Sequence, residues 1–147
     1  MRCMWIVLFS LSSLAVNLVA ADLTSIEQEP NLERRNQLAL DYAGEALNMA
    51  RAAYQASDLD KTEAAFKNVG DAVELAYHSL QDTGREGRRD PKLFKRMELA
   101  TRALLRRIEG MVDSMSYQDR SVAEKLRDRV AAVHDDLLDG IMGKKKK

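Results

Sequence analysis

The sequence predicts an all-α protein in which four main helices form two antiparallel hairpins behind an N-terminal signal peptide. Its composition favours helices, because the 147 residues include only 2 prolines and 7 glycines, and 5% are aromatic. Apolar residues also recur at spacings of three and four, and no stretch shows the polar–apolar alternation of a strand. The length is enough for one compact domain.

The first 21 residues have the pattern of a signal peptide. Met1 and Arg2 give a positive start, residues 3–21 carry no charge, and small residues precede a predicted cut between Ala21 and Asp22. Retention of the segment as an anchor helix is the alternative, since its uncharged run is close to the length that spans a bilayer. We expect an exported protein, either periplasmic or secreted.

Cleavage at this site has a consequence for the chemistry of the chain. It would remove Cys3, the only cysteine, and leave no thiol and no disulfide. An exported domain without disulfides is more typical of the bacterial periplasm than of animal secretions.

Local motifs predict where the remaining helices begin and end. Asp90 and Pro91 form a typical helix start, with an acidic N-cap followed by proline at the first helical position. Gly84 is placed to end the preceding helix, and Ser121 with Glu124 forms a capping box. The predicted segments are a signal peptide at 1–21, a polar spacer at 22–31 and a helical domain at 32–143, within which helix A spans 32–56, helix B 60–82, a loop 83–90, helix C 91–115 and helix D 121–139, followed by a lysine tail at 144–147.

Apolar stripes on these helices indicate the core. In helix C the stripe runs from Phe94 to Met115 in strict steps of three and four. It includes Met97 and Met111, which we expect to be core residues rather than an adaptable interface.

The A–B hairpin resembles a tetratricopeptide unit, a helix–turn–helix of about 34 residues. Residues 49–54 and 57–61 look like the end of its first helix and its turn, and Phe66 and Val69 stand near the aromatic and small positions of its second helix. Arg51 and the absence of a closing proline depart from the pattern. The resemblance implies a protein-binding scaffold. A generic helical hairpin predicts nearly the same residues, so a bundle and a tetratricopeptide-like arrangement both stay open.

Charge is distributed unevenly along a chain whose formal net charge is zero. Residues 22–82 hold 12 acidic and 5 basic side chains, whereas residues 84–107 hold 9 basic and 3 acidic ones. A cationic segment of this kind is a candidate binding site for an anionic partner. Its basic residues are Arg85, Arg88, Arg89, Lys92, Lys95, Arg96, Arg102, Arg106 and Arg107.

Several partners fit such a segment. The principal hypothesis is a non-enzymatic protein–protein interaction module of the cell envelope, and the alternative is an electrostatic binder of an anionic membrane surface or envelope polymer that also uses the lysine tail. Nucleic acid is not expected, because an exported chain would rarely meet it and no aromatic platform interleaves the basic residues. The cations could also be neutralised inside the domain by acids of helices A and B, namely Glu45, Glu63, Asp71 and Glu74.

No motif predicts catalysis, a cofactor or a metal. Glu74 and His78 lie one helical turn apart, but the spacing is not that of a bundle di-iron site. We expect His134 to be a surface residue beside two aspartates. The serines occupy no nucleophile elbow. The sequence therefore predicts a protein that is not an enzyme, and it leaves the oligomeric state open.

Overall fold

The computed structural model describes residues 22–143, which form five α-helices and no strand. The helices are α1 (Leu23–Glu27), α2 (Leu32–Gln55), α3 (Leu59–Asp82), α4 (Pro91–Ser114) and α5 (Arg120–Met142). The predicted all-α class is confirmed, and α2 pairs with α3, and α4 with α5, as helical hairpins.

The predicted signal peptide (1–21) and lysine tail (144–147) lie outside the described residues. None of the helices described between residues 22 and 143 combines the length and the apolar character needed to cross a bilayer.

The segment predicted as a polar spacer contains a helix, so the prediction of four helices was one too few. Ile26 of α1 is only 3% exposed and packs in the common core. Arg35 of α2 donates to the carbonyl of Glu27 at 3.1 Å and to Oγ of Ser79 at 2.8 Å, which holds α1 against α2 and α3. A helix of five residues is too short to show periodicity, and it is stabilised by tertiary contacts rather than by its own sequence.

Two helices begin one residue earlier than the predicted starts at residues 60 and 121. Asp58 caps α3, where its side chain accepts a hydrogen bond from the backbone of Lys61 at 3.1 Å. Helix α5 begins after Asp119, so Ser121 lies inside its first turn and does not cap it. The helix also continues beyond residue 139 and ends at Gly143, whose φ of 71° is the left-handed conformation favoured by glycine.

Helix α4 supplies the longest apolar stripe of the core. Every position of the predicted stripe from Phe94 to Met115 is buried. The sulfurs of Met97 and Met111 lie inside the bundle, so their assignment to the core is confirmed. Because this stripe occupies the inner face, the basic residues of α4 are left on the outer one.

Contacts at the two ends of the bundle fix the direction of each helix. At the turn end, defined by residues 56–58 and 115–119, the hydroxyl of Tyr54 accepts a hydrogen bond from the backbone of Ser116 at 2.9 Å. At the loop end, defined by residues 83–90, Gly87 lies so close to α5 that an added Cβ would stand 2.9 Å from the carbonyl oxygen of Gly140. Thus α2 runs parallel to α4 on one side of the bundle, and α3 runs parallel to α5 on the other.

The α3–α5 side is closed by one arginine. Arg129 donates to Glu74 at 2.7 Å and to Asp71 at 2.8 Å. Burial raises the pKa of Asp71, but hydrogen bonds from Lys67 and Arg129 outweigh it and hold that pKa below its usual value. Gly70 makes room for the guanidinium, because any Cβ there would overlap it.

Candidate functional site: the cationic face of α4

The outer surface of α4 carries basic residues and no exposed carboxylate between Pro91 and Ile108. The only acid in that stretch is Glu98, which is 3% exposed and turned toward the core. We call the exposed set the cationic face. It consists of Lys92, Lys95, Arg96, Arg102 and Arg106 around Leu99.

Four of the nine basic residues singled out in the sequence are engaged within the protein. Arg85 binds Glu33 of α2 and Asp90, each at 2.7 Å. Arg89 lies 3.5 Å from Glu86 on the exposed loop, and Arg102 binds Glu98. The fourth, Arg107, reaches across to α2 and donates to the carbonyl of Gly44 at 3.1 Å and to the side chain of Asn48 at 2.7 Å.

The other five form no ion pair with any residue in the described part of the chain. Arg88 packs on Gly143 at the loop end. The remaining four lie along the cationic face. Leu99, which is 48% exposed, stands among them and gives the surface an apolar centre. These five are Arg88, Lys92, Lys95, Arg96 and Arg106.

The acids proposed to neutralise this segment point elsewhere. Asp71 and Glu74 bind Arg129 on the opposite side of the bundle. Within residues 22–143, no ion pair joins Glu45 or Glu63 to the basic segment. The carboxylates that do bind basic residues of the segment are Glu33, Glu86, Asp90 and Glu98, none of which belonged to the predicted set.

A groove runs between α2 and α4 beside the cationic face. It contains three cavities, of about 350 Å³ at the loop end, 330 Å³ at mid-length and 440 Å³ at the turn end. Arg96 lines the first two. Gly110 in the wall of the third faces open space, since nothing lies within 4 Å of a Cβ added there.

Another depression at the loop end has a mixed charge. It has a volume of about 480 Å³ and lies between α3, the loop and the end of α5. Its walls carry Arg88 and Glu86 together with Asp136 and Asp139. Because both signs of charge meet there, this depression would attract an anionic partner less strongly than the cationic face of α4.

Glu98 forms a buried polar cluster that sequence reasoning missed. Its carboxylate accepts from Arg102 and lies 3.0 Å from Nε2 of His134, which is itself 15% exposed and not the surface residue expected. Burial raises the pKa of Glu98, but these hydrogen bonds outweigh it and the net pKa is lowered. The burial of Glu98 could have been predicted from its position. It follows Phe94 by four residues, which places it at the edge of the apolar stripe of the helix.

This geometry describes an α-helical bundle with a cationic outer face and a groove beside it. No cluster of three or more histidine, cysteine or acidic side chains among residues 22–143 is arranged to hold a metal ion. No protein-family model matches the chain, and searches of the curated proteins and of the solved structures each found no match.

Proposed function

We propose that this protein is a non-enzymatic interaction module that binds an acidic protein through the cationic face of α4. One observation carries the proposal: four cations on that face have no ion-pair partner in the described chain, and Leu99 is exposed among them. A row of like charges repels itself, so neutralisation by a partner would be favourable and would also speed encounter.

An apolar residue at the centre of the face favours a protein partner over a diffuse electrostatic one. Specific interfaces bury an apolar centre inside a polar rim. Leu99, flanked by Lys95 and Arg102, has this arrangement. The tetratricopeptide-like interpretation of the α2–α3 hairpin also implies a protein-binding scaffold, and it belongs to this proposal.

Export is part of the proposal. The start of α1 supports it, because the backbone carbonyl of Asp22 accepts the first helical hydrogen bonds, from Ser25 at 2.9 Å and Ile26 at 3.2 Å. Asp22, the residue directly after the predicted cut, is thus the N-cap of α1. Mass spectrometry of the N-terminus of the protein made by its own host tests this, and a chain that retains Trp5 would contradict cleavage.

Affinity capture with matched variants tests the binding role. Chains spanning 22–147 would be incubated with the extracytoplasmic fraction of the host as wild type, as Lys95→Gln/Arg106→Gln, and as the control Lys61→Gln/Lys125→Gln. We expect an acidic protein that is captured by the wild type and the control but lost with the first variant. Equal capture by all three chains would contradict a role for the cationic face.

A second candidate function is binding to an anionic lipid surface. It is favoured by the position of Arg88, which packs on Gly143, so that the lysine tail continues from a residue beside the basic loop. Such residues contribute about 1 kcal/mol each near an anionic membrane. Co-sedimentation with phosphatidylglycerol vesicles at about 0.05 and 0.5 M salt tests this, and absence of binding at the lower salt would exclude it.

A further inference from the structure

We propose that the groove between α2 and α4 receives an acidic amphipathic helix of the partner protein. This deepens the proposed function and rests on it, because the groove borders the cationic face. This helix would carry small or aliphatic residues on one side and glutamate or aspartate at its flanks.

The groove has room for another chain at its turn end, because Gly110 in its wall does not serve helix packing. A Cβ on Gly44 would meet only the guanidinium of Arg107, at 3.7 Å, and a Cβ on Gly110 would meet nothing within 4 Å. By contrast, Gly70 on the α3–α5 side is filled by Arg129. Gly110 therefore leaves open space against the backbone, where a visiting helix can approach closely, whereas Gly44 is covered by the guanidinium of Arg107.

The floor of the groove is apolar. Leu40 and Leu104 line the middle cavity, with Ala100 and Ala103 beside them. Met111 lines the cavity at the turn end. These side chains would contact the apolar side of a visiting helix, in the way that amphipathic helices generally bind grooves.

Charge complementarity identifies the flanks of the visitor as acidic. Lys92 and Arg96 border the groove on α4, and Arg51 borders it at the turn end of α2. Two of the acids in its walls, Glu33 and Asp90, are already bound to Arg85. Only Asp41 opposes these cations in the middle cavity, so the free charge along the groove is positive.

The length of the groove matches a helix of ordinary size. Its lining residues on α4 run from Lys92 to Ser114, which is roughly 33 Å at 1.5 Å per residue, and the side chain of Arg107 crosses it to Gly44 and Asn48. A helix of about 20 residues spans that distance.

A displayed library of amphipathic helices of about 20 residues tests the proposal. The apolar side would be built from alanine, leucine and methionine, and the flanking positions would vary among glutamate, glutamine and lysine. The library would be selected against the chain spanning 22–147 and against Ala103→Phe, which fills the groove. Ala132→Phe is the matched control, because Ala132 is exposed on α5, and the thermal unfolding of all three chains would be compared first.

We expect selected helices to be rich in glutamate at the flanks, to bind the wild type and Ala132→Phe equally, and to bind Ala103→Phe about tenfold more weakly or worse. Gly110→Leu provides a second filler and should weaken binding similarly. Scrambling a selected sequence at constant charge should abolish binding.

Three results would overturn the proposal: no enrichment of any helix, flanks without glutamate, or binding that Ala103→Phe and Gly110→Leu leave unchanged. If the fillers have no effect while Lys95→Gln/Arg106→Gln still loses the captured acidic protein, docking in the groove is wrong and the proposed function stands. If that double variant also captures the protein normally, both are wrong.

Discussion

The two pairs of parallel helices in the bundle, α3 with α5 and α2 with α4, differ in how closely they pack. Between α3 and α5, Arg129 lies over Gly70 and binds two carboxylates, and the cavity beside it measures about 140 Å³. Between α2 and α4, Gly110 faces open space and the cavities measure 330 to 440 Å³. One side is closed and internally neutralised, while the other is bordered by cations that form no ion pair within residues 22–143. The difference indicates that the open side is the one available for binding.

The largest expected difference in stability between the two sides comes from replacing one glycine on each side by leucine. We expect Gly70→Leu to destabilise the fold by about 2–3 kcal/mol, because the leucine must displace a guanidinium that is bound to Asp71 and Glu74. Gly110→Leu should stabilise it by about 0.5–1 kcal/mol, because the new side chain enters open space and glycine is a poor helix former. Urea unfolding of both variants measures the contrast, and equal effects would contradict it.

The Glu98 cluster should make the α4–α5 hairpin sensitive to acid. Since the pKa of Glu98 in the folded protein lies below its unfolded value of about 4.3, its stabilisation is complete above that pH and is lost as the pH falls through the folded pKa. Glu98→Gln should cost about 1–2 kcal/mol at neutral pH.

Unfolding free energies of wild type and Glu98→Gln, measured between about pH 6 and pH 3, check this expectation. The difference in unfolding free energy between the two proteins should narrow on acidification, because protonation removes the charge of Glu98. Asp71, whose pKa is also lowered, is present in both chains, so its contribution cancels in the comparison. A gap independent of pH would contradict a role for the ionised carboxylate.

Removing the charge of Arg129, which closes the α3–α5 side, should reduce the stability of the fold by a smaller amount. We expect Arg129→Met to cost about 1 kcal/mol, since the methionine keeps part of the apolar stem but leaves Asp71 and Glu74 without this partner. Arg96→Met on the open side, where no ion pair is lost among the described residues, should change the stability by less than about 0.5 kcal/mol. If thermal unfolding shows the same loss for both variants, the contrast between the sides is not electrostatic.

The smallest expected effect concerns the contact that ties α2 to the α4–α5 hairpin at the turn end. The hydroxyl of Tyr54 accepts from the backbone of Ser116 and lies 3.3 Å from Asp119. Tyr54→Phe should cost about 0.5–1 kcal/mol and should speed amide hydrogen exchange of residues 115–119. Unchanged exchange there would show that the open side is held by other contacts.

The local pattern of apolar residues was sufficient to predict the positions of the long helices. The stripe from Phe94 to Met115 is fully buried, as predicted, and α4 spans 91–114 where 91–115 was expected. Helix periodicity depends on neighbours three and four residues away, which the sequence shows directly. The pattern failed for α1, because a helix of this length depends on tertiary contacts such as those of Ile26.

For the candidate site, the sequence by itself determined that nine cations cluster within 85–107 and that α4 turns its apolar stripe away from most of them. Only the tertiary structure decided which of them are free. Arg85 meets Glu33, and Arg129 takes the carboxylates expected to neutralise the segment. The burial of Glu98 and the open side of the bundle were also decided by the tertiary structure. The physical reason is distance along the chain, because these contacts join residues more than thirty positions apart and depend on how the two hairpins pack.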